Sequence, residues 1–534
     1  MRSTPPRPAL PALFLLLALG GIARGAGAPD AAALRAEVRG WRAAHEKAIV
    51  GELAELVALR NVASNRRDIE RNAELLSELL RKRGLEPRLL TAPDAPPAVY
   101  AELRTPGARR TVVFYAHYDG QPAEAADWKS DPWKPVLRTG PITSGVGGGP
   151  GAAGAAAVKE VDLASAPSPL PPEWRLYARA ASDDKGPIVA MLAALDALKA
   201  SGATPSINLK FFFEGEEEAG SPHLQAILDR HHDLLAADAW LLADGPVHPT
   251  RRMQVCFGAR GDTTVEITTY GPVRALHSGH YGNWAPNPAA LLVELLAGLR
   301  GPEGEIRIAH FYDDVRPLSA SERRAAAEMP AVEAGLQQEL GLAWTEGKGG
   351  RLQDVVMSPA LNIRGLKSAQ VGPQARNAIP TDATASIDIR LVPDETPAKV
   401  RALLEAHLKN GYWLVSGEPD LETRRRHPRI VRLTWGDGYP GARTSMDLPA
   451  SRAVLRAVEE GLGAPVIKVP MLGGSIPIYL FTESLKVPVI IVPTVNHDNN
   501  QHAADENLRL QNLWDAIELF ANLFVRLGPD WPAS

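Results

Sequence analysis

The chain has 534 residues, of which 45% are hydrophobic and 22% are charged, and its formal net charge at pH 7 is −4. This is the composition of an ordinary globular protein, and the length allows two or three domains around a substantial core. The small net charge excludes proteins that bind nucleic acid or an anionic membrane mainly through excess positive charge, so neither partner is expected.

Residues 1–28 have the pattern of a secretory signal peptide. Arg2 and Arg7 precede an apolar run over residues 9–19, and small residues follow that run. The run is too short to span a bilayer as a helix, which favours export and cleavage. We therefore expect a periplasmic or extracellular protein with no membrane association after cleavage, and an uncleaved N-terminal anchor is the alternative.

Cys256 is the single cysteine of the sequence. An exported protein with one thiol has no intramolecular disulfide, so its core, together with any bound metal, must stabilise the fold. The thiol follows the strand-like residues 253–255, and this position favours a buried structural cysteine over a catalytic nucleophile.

Helices and short apolar strands alternate along much of the chain. Residues 30–85 have helical periodicity, and each strand that follows ends in polar residues. Continuous apolar strands separated by helices predict an α/β fold with a mainly parallel sheet covered by helices, whose ligands bind beyond the carboxyl ends of the strands. The predicted strands cover residues 111–116, 207–213, 239–243 and 487–493, and the main helices between them cover residues 187–200 and 448–462.

Residues 140–172 interrupt this pattern because they are rich in glycine, alanine and proline. Such a composition is typical of a mobile surface insertion. A lid over the binding site is the alternative interpretation.

The pattern of polar and apolar residues also changes between residues 256 and 446. Polar and apolar residues alternate over residues 262–269 and 384–391, and residues 288–299 have the pattern of a helix. Alternation predicts a half-exposed antiparallel sheet, and hence an inserted α+β domain. The predicted units are a catalytic domain formed by residues 30–255 and 447–534 and an inserted domain formed by residues 256–446.

Histidines and carboxylates follow the predicted strands. Taken singly, each of them is better explained as a helix cap, a turn or a surface charge. Together they have the chemistry of a metal site, because imidazole and carboxylate groups suit zinc and similar divalent ions. In the stretch FFFEGEEEAGS, four glutamates in five positions repel one another, and bound cations would relieve that repulsion. The candidates in chain order are His117, Asp119, Asp183, residues 214–218, Asp244 and His502.

Nine segments in this order resemble the M20 metallopeptidases, and among them the carnosinase-like dipeptidases. The resemblance extends from about residue 111 to residue 508, and its specificity comes from the number and order of the segments. The matching segments are FYAHYDGQPAE, ARAASDDKGPI, FEGEEEAGS, LLADG, GARGDTTVEI, LHSGHYG, NAIPTDATASIDIRLVP, GGSIPI and QHAADENL.

The resemblance implies a zinc-peptidase catalytic domain that binds two divalent metal ions in each subunit. Zn²⁺ is the expected ion, and Mn²⁺ and Co²⁺ are the alternatives. Asp183 matches the carboxylate that bridges the two ions. His117 and Asp244 match the remaining ligands of one ion, and Glu218 and His502 match those of the other.

The resemblance also implies roles for residues that are not ligands. Glu217 matches the general base, and Asp119 matches the carboxylate that orients His117. In the family a histidine of the inserted lid and dimerisation domain acts on the other subunit, and His277 matches it, so a homodimer is expected. The family's bridging aspartate precedes a cis peptide bond, which would join Asp183 to the next residue.

Four further residues match the family's substrate-binding positions. Arg390 matches the arginine that holds a substrate carboxylate, and Asn377 matches a residue that contacts the substrate. Gly474 and Ser475 match a substrate-binding loop. His280 and His497 lie close in sequence to matched histidines, but we expect them to be structural or exposed.

One departure concerns the segment before the bridging aspartate. Family members often have Gly-Arg-Gly where this chain has alanines on both sides of Arg179. This change, like the insertion just upstream, puts the shape of the pocket rim in doubt, and with it the identity of the substrate.

The resemblance favours a dipeptidase or short-peptide exopeptidase. At the position of Asp244, members that act on peptides with a free amino terminus usually have aspartate, whereas carboxypeptidases and deacylases more often have glutamate. An aminoacylase or carboxypeptidase-type amidohydrolase remains an alternative, as does a deacylase of a non-peptide amide. A periplasmic peptide-binding protein without activity is a third class, although the matched ligands and Glu217 are all present.

Overall fold

A computed structural model describes residues 30–142 and 158–531. The predicted signal peptide lies outside the described residues, as do residues 143–157 of the glycine-rich segment, so export stays a prediction. Among the helices that are described, none is both long and apolar enough to cross a bilayer.

The described chain alternates between helices and short strands. The helices are α1 (Ala31–Val57), α2 (Arg66–Lys82), α3 (Lys185–Ser201), α4 (Leu224–Arg230), α5 (His232–Leu235), α6 (Ser278–Tyr281), α7 (Pro288–Leu299), α8 (Ala320–Glu328), α9 (Glu333–Leu340), α10 (Leu352–Val355), α11 (Pro397–Lys409), α12 (Leu421–Arg426), α13 (Pro449–Leu462), α14 (Tyr479–Ser484) and α15 (Leu510–Asp530). The strands are β1 (Arg88–Leu90), β2 (Ala98–Leu103), β3 (Thr111–His117), β4 (Val136–Arg138), β5 (Glu160–Val161), β6 (Arg175–Tyr177), β7 (Asn208–Glu214), β8 (Ala239–Leu242), β9 (Gln254–Cys256), β10 (Gly258–Tyr270), β11 (Leu276–His277), β12 (Ala360–Lys367), β13 (Ala378–Ile379), β14 (Asp382–Leu391), β15 (Trp413–Val415), β16 (Ile430–Tyr439), β17 (Ala442–Arg443), β18 (Ile467–Val469), β19 (Leu472–Ser475), β20 (Val489–Ile491) and β21 (Asn507–Arg509).

The largest sheet has eight strands in the order β1-β2-β7-β3-β8-β20-β9-β18. Its centre is parallel, because β3 pairs in parallel with both β7 and β8, and β8 pairs in parallel with β20. β1 and β2 run antiparallel at one edge, and β9 runs antiparallel to β20. The predicted α/β fold is therefore confirmed, with a mixed sheet whose parallel centre carries the polar strand ends.

Both faces of this sheet are buried, which explains why its strands are apolar without alternation. In β3, Val112 and Phe114 pack into the core on one face, while Val113 and Tyr115 pack into the core on the other. Helices α1, α3, α13 and α15 pack together on the first face. Helices α4 and α14 contact each other on the second face.

Cys256 at the end of β9 is fully buried. Burial raises the pKa of its thiol far above the ordinary value, because the thiolate would lose its hydration. The predicted structural role of this cysteine is therefore confirmed.

A second sheet has five main strands in the order β12-β14-β10-β16-β15. Its long strands pair antiparallel, and its apolar face packs against α7 and α11. The 13-residue strand β10 also pairs with β17 and with β19. The loop at β19 is therefore tied to this sheet directly through the backbone.

The end of the glycine-rich segment is anchored to the surrounding structure. β5 pairs with β4, and the backbone N–H of Leu170 donates to the Glu46 carboxylate. Leu170 and Ala166 are both buried. Residues 158–172 are therefore attached to the surrounding structure at these points, while most of them are exposed at the surface. The mobility expected for residues 140–172 stays a prediction.

Candidate metal centre

Polar side chains converge at one edge of the eight-stranded sheet, the edge formed by the carboxyl ends of its central parallel strands. β3 ends at His117, which is in register with Glu214 at the end of β7, and Asp244 follows β8. Asp183 reaches this edge from the turn before α3, and His502 reaches it from the loop after β20. This is the edge at which open α/β sheets bind ligands, because the carboxyl ends of parallel strands meet there.

The carboxylate of Asp183 lies between two histidines. Its Oδ1 atom is 2.9 Å from Nε2 of His117, and its Oδ2 atom is 3.0 Å from Nε2 of His502. Oε2 of Glu218 is 3.1 Å from the same nitrogen of His502. Asp183 therefore directs one oxygen to each of two adjacent groups of ligand atoms, as a bridging carboxylate would.

The two groups contain all five residues that were predicted as metal ligands. The ligand atoms of His117, Asp183 and Asp244 form one group, and those of Asp183, Glu218 and His502 form the other; within each group the atoms lie within 4.8 Å of one another. Imidazole nitrogens and carboxylate oxygens in groups of three are the donor set that zinc takes at catalytic sites.

The charges of these residues fit a cation. Burial, followed by the charge of Asp183, raises the pKa of Asp244 to about 7, and burial also raises that of Glu217 well above its usual range. Burial acts in the same direction on Asp183, but hydrogen bonds with His117 and His502 outweigh it and hold its pKa below the usual range. Buried anions are unfavourable unless a positive charge compensates them. Divalent metal ions held by this donor set would supply that positive charge.

Asp119 braces the histidine and the glutamate turn together. Its Oδ1 atom is 3.3 Å from Nδ1 of His117, where a carboxylate orients a metal-binding imidazole. Its two oxygens also accept the backbone N–H groups of Glu217 and Glu218, at 3.1 and 3.0 Å. Oε2 of Glu217 lies 3.9 Å from Nε2 of His117, so the predicted general base is adjacent to the ligands.

The other two glutamates of the run have structural contacts. Glu214 accepts a hydrogen bond of 2.7 Å from the Tyr115 hydroxyl. Glu216 accepts the backbone N–H of His223 at 2.8 Å, and the ring of that histidine lies against the same carboxylate. Both glutamates are buried, so their contacts support the turn that carries Glu217 and Glu218.

Glu506 is a functional candidate that sequence reasoning missed. It is completely buried and accepts the backbone N–H groups of Ala180, Ser182 and Asp183, each at 3.0 Å. Arg179 donates to the same carboxylate at 2.8 Å. Glu506 therefore fixes the backbone turn that presents Asp183 to both histidines.

The alanines around Arg179 have structural consequences. Ala180 has a φ of +63°, a left-handed conformation that glycine adopts more easily. The guanidinium of Arg179 packs over the ring of Trp128 at 5.2 Å from its centroid, so Trp128 has a packing role here. The peptide bond between Asp183 and Asp184 is cis, as the resemblance implied.

Three predicted substrate-binding residues lie together where the two sheets meet. Arg390 in β14 donates from Nη1 to the Ser475 hydroxyl at 2.8 Å, and from Nε to Asp388 at 3.2 Å. Ser475 in turn donates to the carbonyl of Gly261. Gly474 precedes it in β19 and is exposed, so this loop has an open side.

His277 and Asn377 lie together, but elsewhere. The backbone N–H of Ser278 donates to the Asn377 carbonyl at 3.0 Å, and both predicted side chains are exposed. Within residues 30–142 and 158–531, no hydrogen bond or ion pair joins either side chain to the five candidate ligands. The structure of one chain therefore does not bring them into the metal centre.

His280, His497 and the buried Lys185 do not belong to the ligand groups of the described residues. His280 is exposed and lies against His277, with ring centroids 4.5 Å apart. His497 is half-buried and belongs to neither ligand group of the described residues. Lys185 is fully buried at the start of α3, where it donates to the carbonyls of Leu56 and Leu59. It joins α1 to α3, and burial lowers its pKa to about 7.

Comparison with known proteins agrees with this geometry. Residues 169–526 match the model of peptidase family M20/M25/M40. The chain is 26% identical over 439 residues to the human Beta-Ala-His dipeptidase, across 81% of this chain and 78% of the relative. It is also 26% identical over 439 residues to the Cys-Gly metallodipeptidase dug1 of Schizosaccharomyces pombe, across 81% and 83% of the two chains.

A solved structure also resembles this chain. The crystal structure of the M20 family metallo-carboxypeptidase Sso-CP2 from Sulfolobus solfataricus superposes with a TM-score of 0.69 at 24% sequence identity. The match covers 90% of this chain and 99% of that chain. At this identity the likeness shows that the two proteins share a fold.

The register of the glutamate run can be tested with two substitutions. We expect Glu218→Ala to lose bound metal, because it removes an oxygen from one ligand group. Glu216→Ala should keep the metal but lower the free energy of unfolding by about 1 kcal/mol, since it leaves the partly buried N–H of His223 without an acceptor. Metal content by mass spectrometry and thermal unfolding separate the two effects, and retention of full metal by Glu218→Ala would show the register to be wrong.

Glu506→Gln should lower metal affinity about 10- to 100-fold, the range for residues that orient metal ligands. The amide would direct an N–H group toward backbone donors that now point at a carboxylate. Glu518→Gln is the matched control, because Glu518 is also a buried partner of arginines but pairs with Arg39 and Arg42, away from the metal centre. Calorimetric zinc titration should show unchanged affinity for the control, and equal affinities for both variants would contradict the positioning role.

Proposed function

The chain belongs to peptidase family M20/M25/M40, and on that premise we propose that it is a metal-dependent dipeptidase acting on short peptides with a free amino terminus. The observation that carries this proposal is the sharing of Asp183 between two adjacent ligand groups, with Glu217 beside them. The names of the two curated relatives, both dipeptidases of 26% identity, support the same activity. We propose Zn²⁺ as the metal, since the donors are imidazole and carboxylate groups.

The residues of the chain divide the work of amide hydrolysis. Divalent ions held by the two ligand groups supply Lewis acidity, which favours attack of water on an amide carbonyl. Glu217 accepts the proton of the attacking water and then donates it to the departing amine. Asp119 holds the backbone of Glu217 in place through its N–H group, so the base keeps a fixed position relative to His117.

The substrate carboxylate is assigned to Arg390. Its guanidinium is held by Asp388 and Ser475, and this arrangement orients the fork toward the loop at Gly474. A planar guanidinium binds a carboxylate through paired hydrogen bonds, which fixes the direction of the peptide as well as its affinity. This arrangement favours exopeptidase action on a free carboxyl terminus.

A homodimer is part of the proposal. His277 and Asn377 are exposed and lie outside the metal centre of their own chain. A second copy would place these side chains in the site of the first, where the His277 imidazole would donate a hydrogen bond to the developing oxyanion. We also propose that the mature enzyme acts outside the cytoplasm, as the sequence of residues 1–28 predicts.

The activity is tested with zinc-loaded mature protein, unblocked dipeptides and their N-acetylated counterparts. We expect release of free amino acids from the unblocked peptides, at least ~10-fold faster than from the acetylated ones, because acetylation removes the charge and hydrogen-bond donors of the terminal amine. Turnover of the acetylated compounds alone would instead identify an aminoacylase.

Glu217→Gln distinguishes an enzyme from a binding protein. The substitution should keep metal and dipeptide binding but lower kcat by about 10²–10⁴-fold, the usual contribution of a general base. Calorimetry measures the binding, and amino acid release measures the turnover. If the wild-type chain binds dipeptides with zinc, manganese or cobalt but cleaves none of them, the protein is a binding module.

A further inference from the structure

Arg260 presents a second guanidinium beside the substrate loop. It precedes Asp262 by two residues in β10, and Asp262 is in register with Arg390 in β14. Side chains two residues apart in a strand project from the same face of a sheet, so Arg260 and Arg390 lie on one face as diagonal neighbours. Burial and the charge of Arg390 lower the pKa of Arg260, which also indicates that the two cations are close.

Both arginines contact the same short strand. Arg390 donates to the hydroxyl of Ser475, while Arg260 donates from Nε to the carbonyl of Gly473 at 2.8 Å. The Gly473 backbone approaches Arg260 closely, since a Cβ atom at this glycine would lie 3.6 Å from Nη2. The guanidinium of Arg260 is therefore fixed in direction by the loop assigned to substrate binding.

The two arginines differ in their counter-ions. Arg390 has Asp388 at 3.2 Å and Asp262 at 3.7 Å. Arg260 has no ion pair with any described residue, and its terminal nitrogens have no acceptor within residues 30–142 and 158–531. The charge of Asp388 acts on Arg260 and opposes the lowering of its pKa, but the Asp388 carboxylate pairs with Arg390. Among the described residues the terminal nitrogens of Arg260 still lack acceptors, and a bound anion would supply both charge and acceptors.

Arg260 also lines a cavity of about 590 Å³ that has room for a side chain of the substrate. Val356 lies on the cavity wall and also contacts the loop at Gly473, so the cavity borders that loop. The other wall arginine, Arg300, pairs with Glu346. The two further glutamates of the wall also have partners, because Glu305 pairs with Arg307 and Glu303 accepts the backbone N–H of Lys348. Arg260 therefore lies between this cavity and the loop at Gly473 that also contacts Arg390.

We propose that Arg260 forms an anion-binding subsite for the side-chain carboxylate of a C-terminal aspartate or glutamate. This inference rests on the proposed dipeptidase function and specifies its substrate class. With the α-carboxylate at Arg390, an acidic side chain on the same residue needs a second cation a short methylene chain away. Arg260 meets that requirement, because it projects from the same sheet face and contacts the same loop.

The proposal is tested by comparing Ala-Glu with Ala-Gln, which differ in charge but hardly in shape. For the zinc-loaded enzyme we expect kcat/KM to be about 10-fold or more higher for Ala-Glu, the effect of one charge-assisted hydrogen-bond pair. In Arg260→Gln this ratio should fall toward one, because turnover of Ala-Glu should fall more than turnover of Ala-Gln. Arg260→Lys keeps the charge and should keep part of the preference.

Arg401→Gln is the matched control. Arg401 is a half-buried arginine next to the same sheet and also donates to a backbone carbonyl, that of Gly436, but it packs on Trp435. The ratio should be unchanged in this variant. If Arg260→Gln lowers the turnover of both dipeptides equally, Arg260 only supports the loop and the subsite is refuted. A wild-type enzyme without preference for Ala-Glu refutes it as well.

Failure of the subsite and failure of the dipeptidase proposal give different results. Turnover of Ala-Gln and other neutral dipeptides without acidic preference refutes the subsite alone. If no dipeptide is cleaved, calorimetric binding of free glutamate and glutamine to the zinc-loaded protein decides the question. Tighter binding of glutamate that is lost in Arg260→Gln supports the subsite, and equal binding of the two amino acids refutes it.

Discussion

The structure depends on how buried negative charge is compensated at the carboxyl ends of the central strands of the eight-stranded sheet. Asp183, Asp244, Glu217 and Glu218 occupy a small volume, and the desolvation of these carboxylates is unfavourable unless cations are present. Asp183 resolves part of this conflict by placing one oxygen near each of two histidines. The uncompensated negative charge that destabilises the metal-free site also favours the binding of divalent ions.

Precise placement of these side chains comes from contacts far apart in sequence. Glu506 fixes the turn before Asp183, and Asp119 fixes the turn that carries Glu217. Both side chains are buried carboxylates that accept hydrogen bonds from backbone N–H groups. Such charge-assisted hydrogen bonds are short and have a fixed direction. Two such braces, on separate loops, hold the bridging ligand and the base in one geometry.

Much of the metal centre could be predicted because its residues follow strong local signals. The run FFFEGEEEAGS alternates Phe211 and Phe213 toward one core with Phe212 toward the other, so the glutamates after it must lie at the strand end. Glu506 could not be predicted in this way. Its partners lie more than 300 residues earlier in the chain. No local sequence pattern indicates that a carboxylate will accept hydrogen bonds from such a distant backbone turn.

The substrate-binding residues show the same division. The resemblance located Arg390 and Ser475, and the structure joins them by a hydrogen bond. The free fork of Arg260 depends on which carboxylates are absent from its surroundings, and this information is available only from the packed structure. His277 and Asn377 lie outside the centre of their own chain, so a sequence match alone cannot say where they act.

The shared role of Asp183 is the central claim, and metal stoichiometry tests it most directly. After zinc loading and dialysis, mass spectrometry should find about two metal ions per wild-type chain, as at two-metal sites. Asp244→Asn should lower the affinity for one ion, whereas Asp183→Asn should lower the affinity for both, because only Asp183 belongs to both ligand groups. If Asp183→Asn still binds one ion with the affinity of the wild-type chain, the carboxylate does not bridge two metals and the account is wrong.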